Sequence, residues 1–487
     1  MEQKRSRTWY IVVGVIVVAL IAVLWVRYAG TQKLIRDLDS KHPKVQEYAA
    51  RILLERGVLE DSLPAQPEER RAHAAAALAL VVRQATSKQS VEAAMKQLVA
   101  LIKDPEDLPQ RAASRATGRL GAKSITYLLP VLQEGDDRAK EAAVKAFAMI
   151  GEPAVPALTK ALRNKDRRQQ AAIALGKIGG TGIAPLLRAA WSKDKDLRGI
   201  AIKVLGEVKE RRAVAVAIDA LRLKGLRRTA IIALGLIADA RAAPNVIPHL
   251  KDRDLRIDAA TALGAMEDVR GVAPLLVELR DPETQFHDRA VWALQRIGRA
   301  AAPMLTAALA SDSVYVRRAA AQGLRFTGAP ESVPALAAAL RDPDVKVRVA
   351  AASALGWTGN AAAVPLLLAA FDDADWRVAD AAMRSLAAVG QPAVEPLISM
   401  FGNPQPVKEQ FASDALAQMS RAPVARLLQA TRSEAAPVRE WAAVTLGKIG
   451  DKSAVARLRE MAATAQGDER WAAQQALRRL GVPTATS

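Results

Sequence analysis

The sequence predicts an all-α protein: an α-solenoid of about 13 helical hairpins, preceded by a single transmembrane helix. Three observations predict this fold. A unit with a fixed closing position recurs every 28 to 31 residues from about residue 110 to the end. Apolar residues within the units recur at helical spacing, and residues 9–26 contain no charged residue. Units of this length cannot bury an apolar face alone, so a fixed period indicates a stacked array.

The first elements are a basic tail over residues 1–8 and a predicted transmembrane helix over residues 9–28. At 1.5 Å per residue, the uncharged run spans about 27 Å, close to the thickness of the hydrocarbon core of a bilayer. Trp9, Tyr10, Trp25 and Tyr28 stand at its two ends. Aromatic side chains favour the membrane interface, so we predict that these four residues contact the lipid bilayer there.

A cleaved signal peptide is the alternative for this segment. Cleavage after Ala29 would place Arg27 where a small residue is required, so an uncleaved anchor is favoured. Basic residues flank both ends of the segment, but a short N-terminal tail usually stays in the cytoplasm and large domains translocate largely regardless of charge. The sequence therefore predicts a single-pass protein of the bacterial inner membrane, with its repeat domain outside the cytoplasm.

Residues 29–90 are predicted to form membrane-proximal helices and an N-terminal cap, because a terminal repeat must expose one side to solvent. The membrane helix is expected to weaken at Gly30, and a new helix to open at Pro43. Residues 59–71 indicate a loop, and the Ala-rich helix that follows is expected to end at about Gln84.

The solenoid is predicted over residues 91–481, with a flexible tail over residues 482–487. Residues 342–359 represent the second helix of a unit, which Asp342 can cap and Gly359 can end in a left-handed conformation. The stretch SVPALAAALRD before it provides the first helix, so each unit is a hairpin. The thirteen closing positions, nine of them glycine, are Gly121, Gly151, Gly179, Lys209, Ala238, Glu267, Gly298, Gly328, Gly359, Gly390, Ser420, Gly450 and Gly481.

Arginine occupies eight of the thirteen positions that lie eleven residues before a closing position. These are Arg168, Arg198, Arg227, Arg256, Arg317, Arg348, Arg439 and Arg470. One interpretation is an arginine track for an anionic ligand. The favoured one is an Asp–Arg ladder between neighbouring repeats, in which Asp194, Asp252 and Asp344 each pair with the arginine four residues later.

Segments such as KDLRGIAIKVLGEV (195–208) and RDLRIDAATALGAM (253–266) resemble the HEAT-like repeats of the phycobilisome-lyase type. The resemblance covers roughly residues 90 to 481 and implies a stacked α-solenoid. The family includes scaffolds, chromophore lyase subunits and a few enzymes, so the resemblance is a strong indication of fold and a weak one of function.

Basic residues are concentrated in one part of the array. The whole chain carries a net charge of +19, and residues 160–256 contain 22 basic and 9 acidic residues, whereas residues 331–401 contain 5 and 8. Such a surface would attract an anionic polymer, acidic lipid headgroups, nucleic acid or an acidic protein. Nucleic acid is disfavoured because aromatic residues are only 4% of the chain. The candidate anion contacts are Lys209, Arg211, Arg212, Arg222, Lys224, Arg227 and Arg228.

The sequence offers little that indicates catalysis. It contains no cysteine, and its four histidines are far apart in sequence without metal-ligand spacing, so no cofactor, metal or small-molecule substrate is predicted. Most of the six tryptophans in the array are expected to fill gaps between alanines. Trp357 and Trp376 are the best candidates for exposed contacts with a protein.

These observations lead to one functional prediction and two alternatives. We predict a membrane-anchored, non-catalytic scaffold that docks a protein partner at the cell envelope. The first alternative is binding of anionic polymer, lipid headgroups or nucleic acid by residues 160–256. The second is a lyase-type or glycosylase-type enzyme built on the same repeats.

Overall fold

The structure is a computed structural model that describes Leu20 and residues 27–282 and 284–483. The predicted basic tail lies outside the described residues, as do Trp9, Tyr10 and Trp25 of the predicted membrane helix. Tyr28 is described and is exposed. Among the described residues, no helix is both long enough and apolar enough to cross a membrane. The transmembrane helix therefore stays a prediction.

The described chain is an all-α solenoid without a strand, and it forms two compact units that divide between Ala233 and Leu234. The division falls inside one helix, α15. The helices of the first unit are α1 (27–37), α2 (Pro43–Glu55), α3 (Leu59–Ser62), α4 (Glu68–Gln84), α5 (Lys88–Ile102), α6 (Asp107–Leu120), α7 (Ile125–Leu128), α8 (Val131–Glu134), α9 (Asp137–Ile150), α10 (Val155–Ala161), α11 (Arg168–Ile178), α12 (Gly180–Ala190), α13 (Lys195–Glu207), α14 (Val214–Ala220) and α15 (Arg227–Ile237).

The second unit continues the same alternation of helices. Its helices are α16 (Ala243–Val246), α17 (Arg256–Met266), α18 (Val272–Glu278), α19 (Thr284–Ile297), α20 (Ala302–Ala308), α21 (Val314–Leu324), α22 (Val333–Ala339), α23 (Val345–Trp357), α24 (Ala363–Ala369), α25 (Trp376–Val389), α26 (Val394–Ile398), α27 (Pro406–Gln418), α28 (Val424–Ala430), α29 (Ala436–Ile449), α30 (Val455–Thr464) and α31 (Gly467–Arg479).

Short 3₁₀ turns lead into most of the first helices. They are Gly121–Ser124, Glu152–Ala154, Arg211–Ala213, Ala240–Ala242, Val269–Gly271, Gly298–Ala301, Pro330–Ser332, Gln391–Ala393 and Lys452–Ala454. Three others, Lys224–Leu226, Ile247–Lys251 and Ala370–Asp372, follow or extend a first helix.

From α5 onward, the described helices form thirteen hairpins, each with a first and a second helix. In the first unit the second helices α6, α9, α11 and α13 pack side by side, and in the second unit α17, α19, α21, α23, α25, α27, α29 and α31 do the same. We call the turn within a hairpin the hairpin turn and the turn between hairpins the linking turn. Because the two helices of a hairpin are antiparallel, all hairpin turns of a unit lie at one edge and all linking turns at the other.

Positive φ, which the sequence predicts at Gly359, recurs at most of the closing positions. Twelve of the thirteen have positive φ, and Ser420 is the exception. The nine glycines reach this region without strain. Lys209, Ala238 and Glu267 also reach it, with φ of 55°, 56° and 53°. Positive φ therefore recurs with the position in the repeat, whereas ψ varies. Gly121, Gly151, Gly179 and Gly390 have ψ between −129° and −155°, whereas Glu267 is left-handed helical with ψ of 32°.

Small residues let the second helices approach closely. A Cβ added to Gly206 would lie 2.7 Å from the Cα of Ala233, and one added to Gly447 would lie 2.6 Å from the Cα of Ala476. The interior at these crossings has no room for an indole. Correspondingly, the expectation that most tryptophans of the array fill gaps between alanines is wrong. Four of the six are more than half exposed: Trp191, Trp357, Trp376 and Trp471.

Several local expectations can be compared with the structure. A helix begins at Pro43 and the Ala-rich helix ends at Gln84, as predicted. Residues 59–71 are not all loop, because α3 forms at residues 59–62 and α4 begins at Glu68. The helix 27–37 continues through Gly30 without a break. Helix α2 packs on α4, and α4 packs on α6, so the side-by-side packing extends into the predicted cap.

Candidate functional site

The repeated arginines form a ladder between neighbouring repeats, but the predicted pairing at four residues' separation is wrong. Arg348 donates to both carboxylate oxygens of Asp373, 25 residues later in the next hairpin, at 2.8 and 2.9 Å. Arg317 does the same to Asp342, at 2.6 and 3.1 Å. The other pairs of this kind are Arg168–Asp194, Arg198–Asp219, Arg256–Asp281 and Arg439–Glu469.

Two of the three predicted partners, Asp194 and Asp344, cap the second helices α13 and α23. The Asp344 carboxylate accepts a hydrogen bond from the Val347 amide and caps α23, so the predicted cap, Asp342, is not the cap. Asp342 instead receives Arg317 from the preceding repeat. The arginine lies in the first turn of a second helix, and its carboxylate partner lies at or beside the hairpin turn of the next repeat. This favours the structural interpretation of the arginines over an exposed anion track.

The ladder shifts the pKa of its carboxyl groups. Burial raises the pKa of Asp373, but the hydrogen bonds from the Arg348 guanidinium outweigh burial and hold the pKa below its ordinary value. The same balance of burial and the Arg317 guanidinium lowers the pKa of Asp342. Both carboxylates are therefore charged at neutral pH and bound to arginine.

The seven predicted anion contacts do not form one patch. Lys209, Arg211 and Arg212 lie at a linking turn, and Arg212 is held by Glu210 at 2.8 Å. The remaining four, Arg222, Lys224, Arg227 and Arg228, lie at the hairpin turn between α14 and α15. The seven residues of α14 separate the two groups by about 10 Å or more. Residues that are close in sequence are thus placed at opposite edges of the unit.

One edge of the first unit nevertheless carries several cations, although Asp166 and Asp196 are exposed among them and Arg222 lies 3.7 Å from Asp219. Three successive hairpin turns, those before α11, α13 and α15, bring exposed basic side chains to the same edge. We call this set the basic turn edge; it comprises Arg163, Lys165, Lys193, Lys195, Arg222 and Lys224. Trp191 lies at the same edge and is 56% exposed.

The two predicted protein contacts are both exposed but are far apart. Trp376 begins α25 at the hairpin-turn edge, whereas Trp357 ends α23 at the linking-turn edge. Trp357 contacts Phe326 of the preceding repeat, with ring centroids 5.8 Å apart, and the Arg325 guanidinium lies about 5.5 Å from both rings. Phe326 and Trp357 are 48% and 53% exposed. These three residues form an exposed aromatic cluster.

Phe326 was not among the predicted contacts, yet the sequence carries a signal for it. Phe326 stands two residues before Gly328, and Trp357 stands two residues before Gly359. The same position of two successive units therefore carries an aromatic side chain. Because second helices of successive units pack side by side, equivalent positions become neighbours.

A groove of about 500 Å³ crosses the second helices α19, α21 and α23 in the second unit. We call it the α19–α23 groove. Its lining residues are Asp288, Val291, Trp292, Gln295, Arg318, Gln322, Arg325, Val345, Lys346, Val349, Ala350, Ser353 and Arg377. Arg325 belongs to both the groove and the exposed aromatic cluster, so the two features adjoin.

The lining of the groove is cationic. It contains four basic side chains and one carboxylate, that of Asp288. Arg377 is held by Asp375, at 2.6 to 2.8 Å. Arg318, Arg325 and Lys346 form no ion pair with a described carboxylate. The groove therefore presents a positive potential to solvent although the neighbouring hairpin turns are rich in aspartate.

The described residues contain no group of three or more histidine, aspartate or glutamate side chains that could hold a metal ion. His287 lies beside Tyr315, and its ring nitrogen Nε2 is 2.5 Å from the carbonyl oxygen of Asp281. His73 Nδ1 lies 3.0 Å from a carboxylate oxygen of Asp39. Each of these two histidines has a local structural partner.

Comparison with known protein families finds one match. A family profile described as HEAT repeats matches residues 95–176, 125–197, 272–345, 333–413 and 394–478. The matched segments lie in both compact units and together cover more than half of the chain. No curated protein matches the sequence.

Solved structures of the same general fold are similar to the chain at low identity. Importin beta is 14% identical, with 95% of this chain and 80% of that chain covered and a TM-score of 0.41. Human deoxyhypusine hydroxylase is 23% identical, with 56% and 98% covered and a TM-score of 0.22. The CpcE–CpcF complex of phycocyanin lyase from Nostoc sp. PCC7120 is 23% identical, with 47% and 94% covered and a TM-score of 0.25.

Proposed function

This chain belongs to the HEAT-repeat family, and from that premise we propose that it is a membrane-anchored, non-catalytic scaffold that docks a protein partner at the cell envelope. The single observation that carries the proposal is the exposed aromatic cluster of Arg325, Phe326 and Trp357 beside the α19–α23 groove. Tryptophan and arginine are the side chains that most often dominate the binding energy of protein interfaces.

The stack itself supports binding more than chemistry. Each repeat contributes one short section of surface, and recognition can extend over several repeats. The abundant arginines of the ladder are held by carboxylates of the next repeat and stabilise the stack, so they are not available as catalytic groups. A protein ligand, which contacts many residues weakly, suits such a surface.

The membrane part of the proposal rests on the sequence. The uncharged run over residues 9–26 and the aromatic residues at its two ends support a single transmembrane helix. The basic residues Lys4, Arg5 and Arg7 ahead of this run support a cytoplasmic side there, and hence a repeat domain outside the cytoplasm. A reporter fused to the C-terminus tests this orientation, because alkaline phosphatase would be active and green fluorescent protein dark if the proposal is right.

Affinity capture with matched variants tests the docking function. The full chain, in detergent micelles, should enrich specific proteins from envelope extracts. Phe326→Ala combined with Trp357→Ala should reduce that recovery, since both side chains are about half exposed. Trp471→Ala is the matched control, because Trp471 is 58% exposed and lies in the last hairpin. A wild-type chain that enriches no protein but turns over a small molecule would contradict the proposal and favour an enzyme.

A second candidate function is binding of an anionic surface by the basic turn edge. The observation that favours it is the alignment of cations from three successive hairpin turns with the exposed Trp191. Acidic lipid headgroups attract such clusters at about 1 kcal/mol per basic residue near the membrane surface. The predicted anchor would keep this edge in the neighbourhood of a bilayer.

Vesicle flotation tests the second candidate. Binding to phosphatidylglycerol vesicles should fall steeply between low and physiological salt and should be absent with phosphatidylcholine. Binding to the phosphatidylglycerol vesicles should be abolished by the triple change Lys165→Glu, Lys193→Glu and Lys224→Glu. The double change Lys209→Glu and Arg212→Glu reverses charges at the opposite edge and should have little effect on vesicle binding. An equal loss in both variants would show that net charge, and not the basic turn edge, is responsible.

A further inference from the structure

We propose that the α19–α23 groove binds an acidic peptide segment of a partner protein. The segment is an extended stretch of about six residues that carries several carboxylates and one apolar side chain. This inference rests on the proposed scaffold function and names the site and the chemistry of the partner.

Arg318 is the central observation. It is half-buried on α21, lines the groove and forms no ion pair with a described carboxylate. The preceding residue, Arg317, does not line the groove and donates to both carboxylate oxygens of Asp342. A partly desolvated guanidinium gains most from a carboxylate, which it can bind through two parallel hydrogen bonds. The stack satisfies one arginine of the pair and leaves the other to a ligand.

Two exposed cations extend this charge along the groove. Arg325 lies on the C-terminal side of Arg318, two helical turns further along, and Lys346 lies on the adjacent helix α23. Asp288 is the only carboxylate among the described residues that line the groove. Cations on two neighbouring helices require more than one anionic group in the ligand, so a segment with several carboxylates is the complementary partner.

The wall of the groove is apolar between the charges. Val291, Val345 and Val349 are half-buried, and Trp292 lies beside them. The position of Trp292 depends on Gly264 of α17, because a Cβ there would lie 2.8 Å from the indole Cζ3. An apolar side chain of the ligand can pack against these residues, and this distinguishes a peptide from an inorganic anion.

The dimensions fit an extended chain. Neighbouring helices pack 8–10 Å apart, so the groove reaches about 20 Å from α19 to α23. An extended chain advances about 3.3 Å per residue, so about six residues cross the groove. At one end, Arg325 connects the groove to Phe326 and Trp357, whose exposed rings provide further contact area.

Fluorescence anisotropy with the full chain in detergent micelles tests the proposal. The probe is a fluorescein-labelled hexapeptide of glutamates around one leucine, compared with the same peptide carrying lysines for glutamates. We expect the acidic peptide to bind and the basic one not to bind. Arg325→Glu with Lys346→Glu should weaken binding at least about tenfold, because like charges then face each other. Arg299→Glu with Arg341→Glu makes the same change of charge at exposed residues outside the groove and should leave the affinity unchanged.

Disulfide trapping localises the peptide. The chain contains no cysteine, so a single introduced thiol is unique. Ser353→Cys lies in the groove, and Ser399→Cys lies at an exposed position outside it. A cysteine-bearing acidic peptide should be trapped by the first variant and not by the second. Equal trapping, equal affinity of the two charge variants, or preference for the basic peptide would each overturn the proposal.

A separate measurement distinguishes failure of this proposal from failure of the scaffold function. If the Lys346→Glu chain, in which the changed residue lies in the groove but outside the exposed aromatic cluster, captures the same envelope proteins as the wild type, the partner docks elsewhere and only the groove assignment is wrong. If the wild-type chain captures none, the scaffold function itself is wrong. Binding of a labelled nucleotide or of anionic vesicles by the groove, lost in the same variant, would replace the peptide with another anionic ligand.

Discussion

The ladder between repeats predicts a large cost for removing one buried arginine. Arg348 donates two hydrogen bonds to the Asp373 carboxylate and a third, of 2.9 Å, to the carbonyl oxygen of Asp342. The side chains of Arg348 and Asp373 are only 15% and 12% exposed. Arg348→Ala leaves a carboxylate that is largely removed from water without its counter-ion.

The magnitude follows from this geometry. Removing one partner of a buried ion pair typically costs about 3–5 kcal/mol, mostly through the unpaired charge that remains. Arg384→Ala is the matched control. It removes an arginine of the next second helix, α25, that pairs with Asp380 four residues earlier and is 69% exposed. An exposed pair of this kind contributes about 0.3–0.5 kcal/mol.

Urea-induced unfolding, followed by circular dichroism, measures both variants. Arg348→Ala should reduce the unfolding free energy by about 3–5 kcal/mol and Arg384→Ala by less than about 1 kcal/mol. In a double-mutant cycle, Arg348→Ala with Asp373→Ala should cost less than the sum of the single changes, because neither charge is left unpaired. Equal costs for Arg348→Ala and Arg384→Ala, or strict additivity in the cycle, would refute the role of the ladder.

Three other predictions concern stability. Ala238→Gly should raise the unfolding free energy by up to about 1 kcal/mol. The φ of Ala238 is 56°, and the relief of about 1–2 kcal/mol of left-handed strain exceeds the entropic cost of glycine. Thermal unfolding measures this change in stability, and a destabilised variant would contradict the prediction. Gly447→Ala should lower the unfolding free energy by about 1–3 kcal/mol, because the added methyl group overpacks against Ala476. Gly30→Ala is the control, since the space around Gly30 is open, and it should be neutral or stabilising by up to about 1 kcal/mol. Equal effects of the two changes in urea titrations would count against close helix packing. Because the pKa of Asp373 is lowered on folding, its contribution to stability is present above the pKa of the unfolded carboxyl and is lost as pH falls through the folded value. The midpoint of urea unfolding should therefore fall below about pH 4, and it should fall less in Asp373→Asn. A midpoint that does not depend on pH would contradict the lowered pKa.

Regular local signals in the sequence predict the repeats well. Apolar positions at helical spacing indicate both helices of a hairpin, and a closing residue every 28 to 31 positions marks each linking turn. The same spacing also marks Lys209, Ala238 and Glu267 as closing positions, and the structure gives all three a positive φ. These features succeed because each depends on residues within one unit of the chain.

The candidate site was predicted less completely, because it depends on which helices become neighbours. Trp357 was predicted to be exposed, but its contact with Phe326 joins two repeats. The predicted basic cluster was divided between two edges because α14 separates its halves. The groove was not predicted at all, since its lining residues come from α19, α21, α23 and, through Arg377, α25, and a first helix separates each of these helices from the next in sequence.

The sequence by itself determined the fold class, the hairpin repeat and the left-handed linking turns, because helical periodicity and backbone preference act within one unit. Only the tertiary structure decided which charges meet. Arg348 binds Asp373 of the next repeat and not Asp344, the residue that caps its own helix. The Asp344 carboxylate already accepts a hydrogen bond from the Val347 amide. Residues 331–401 are acidic in composition. Asp342 and Asp373 of this segment are bound by arginines, however, and the α19–α23 groove is lined by four basic side chains and one carboxylate. Composition counts charges, whereas packing determines which of them face solvent.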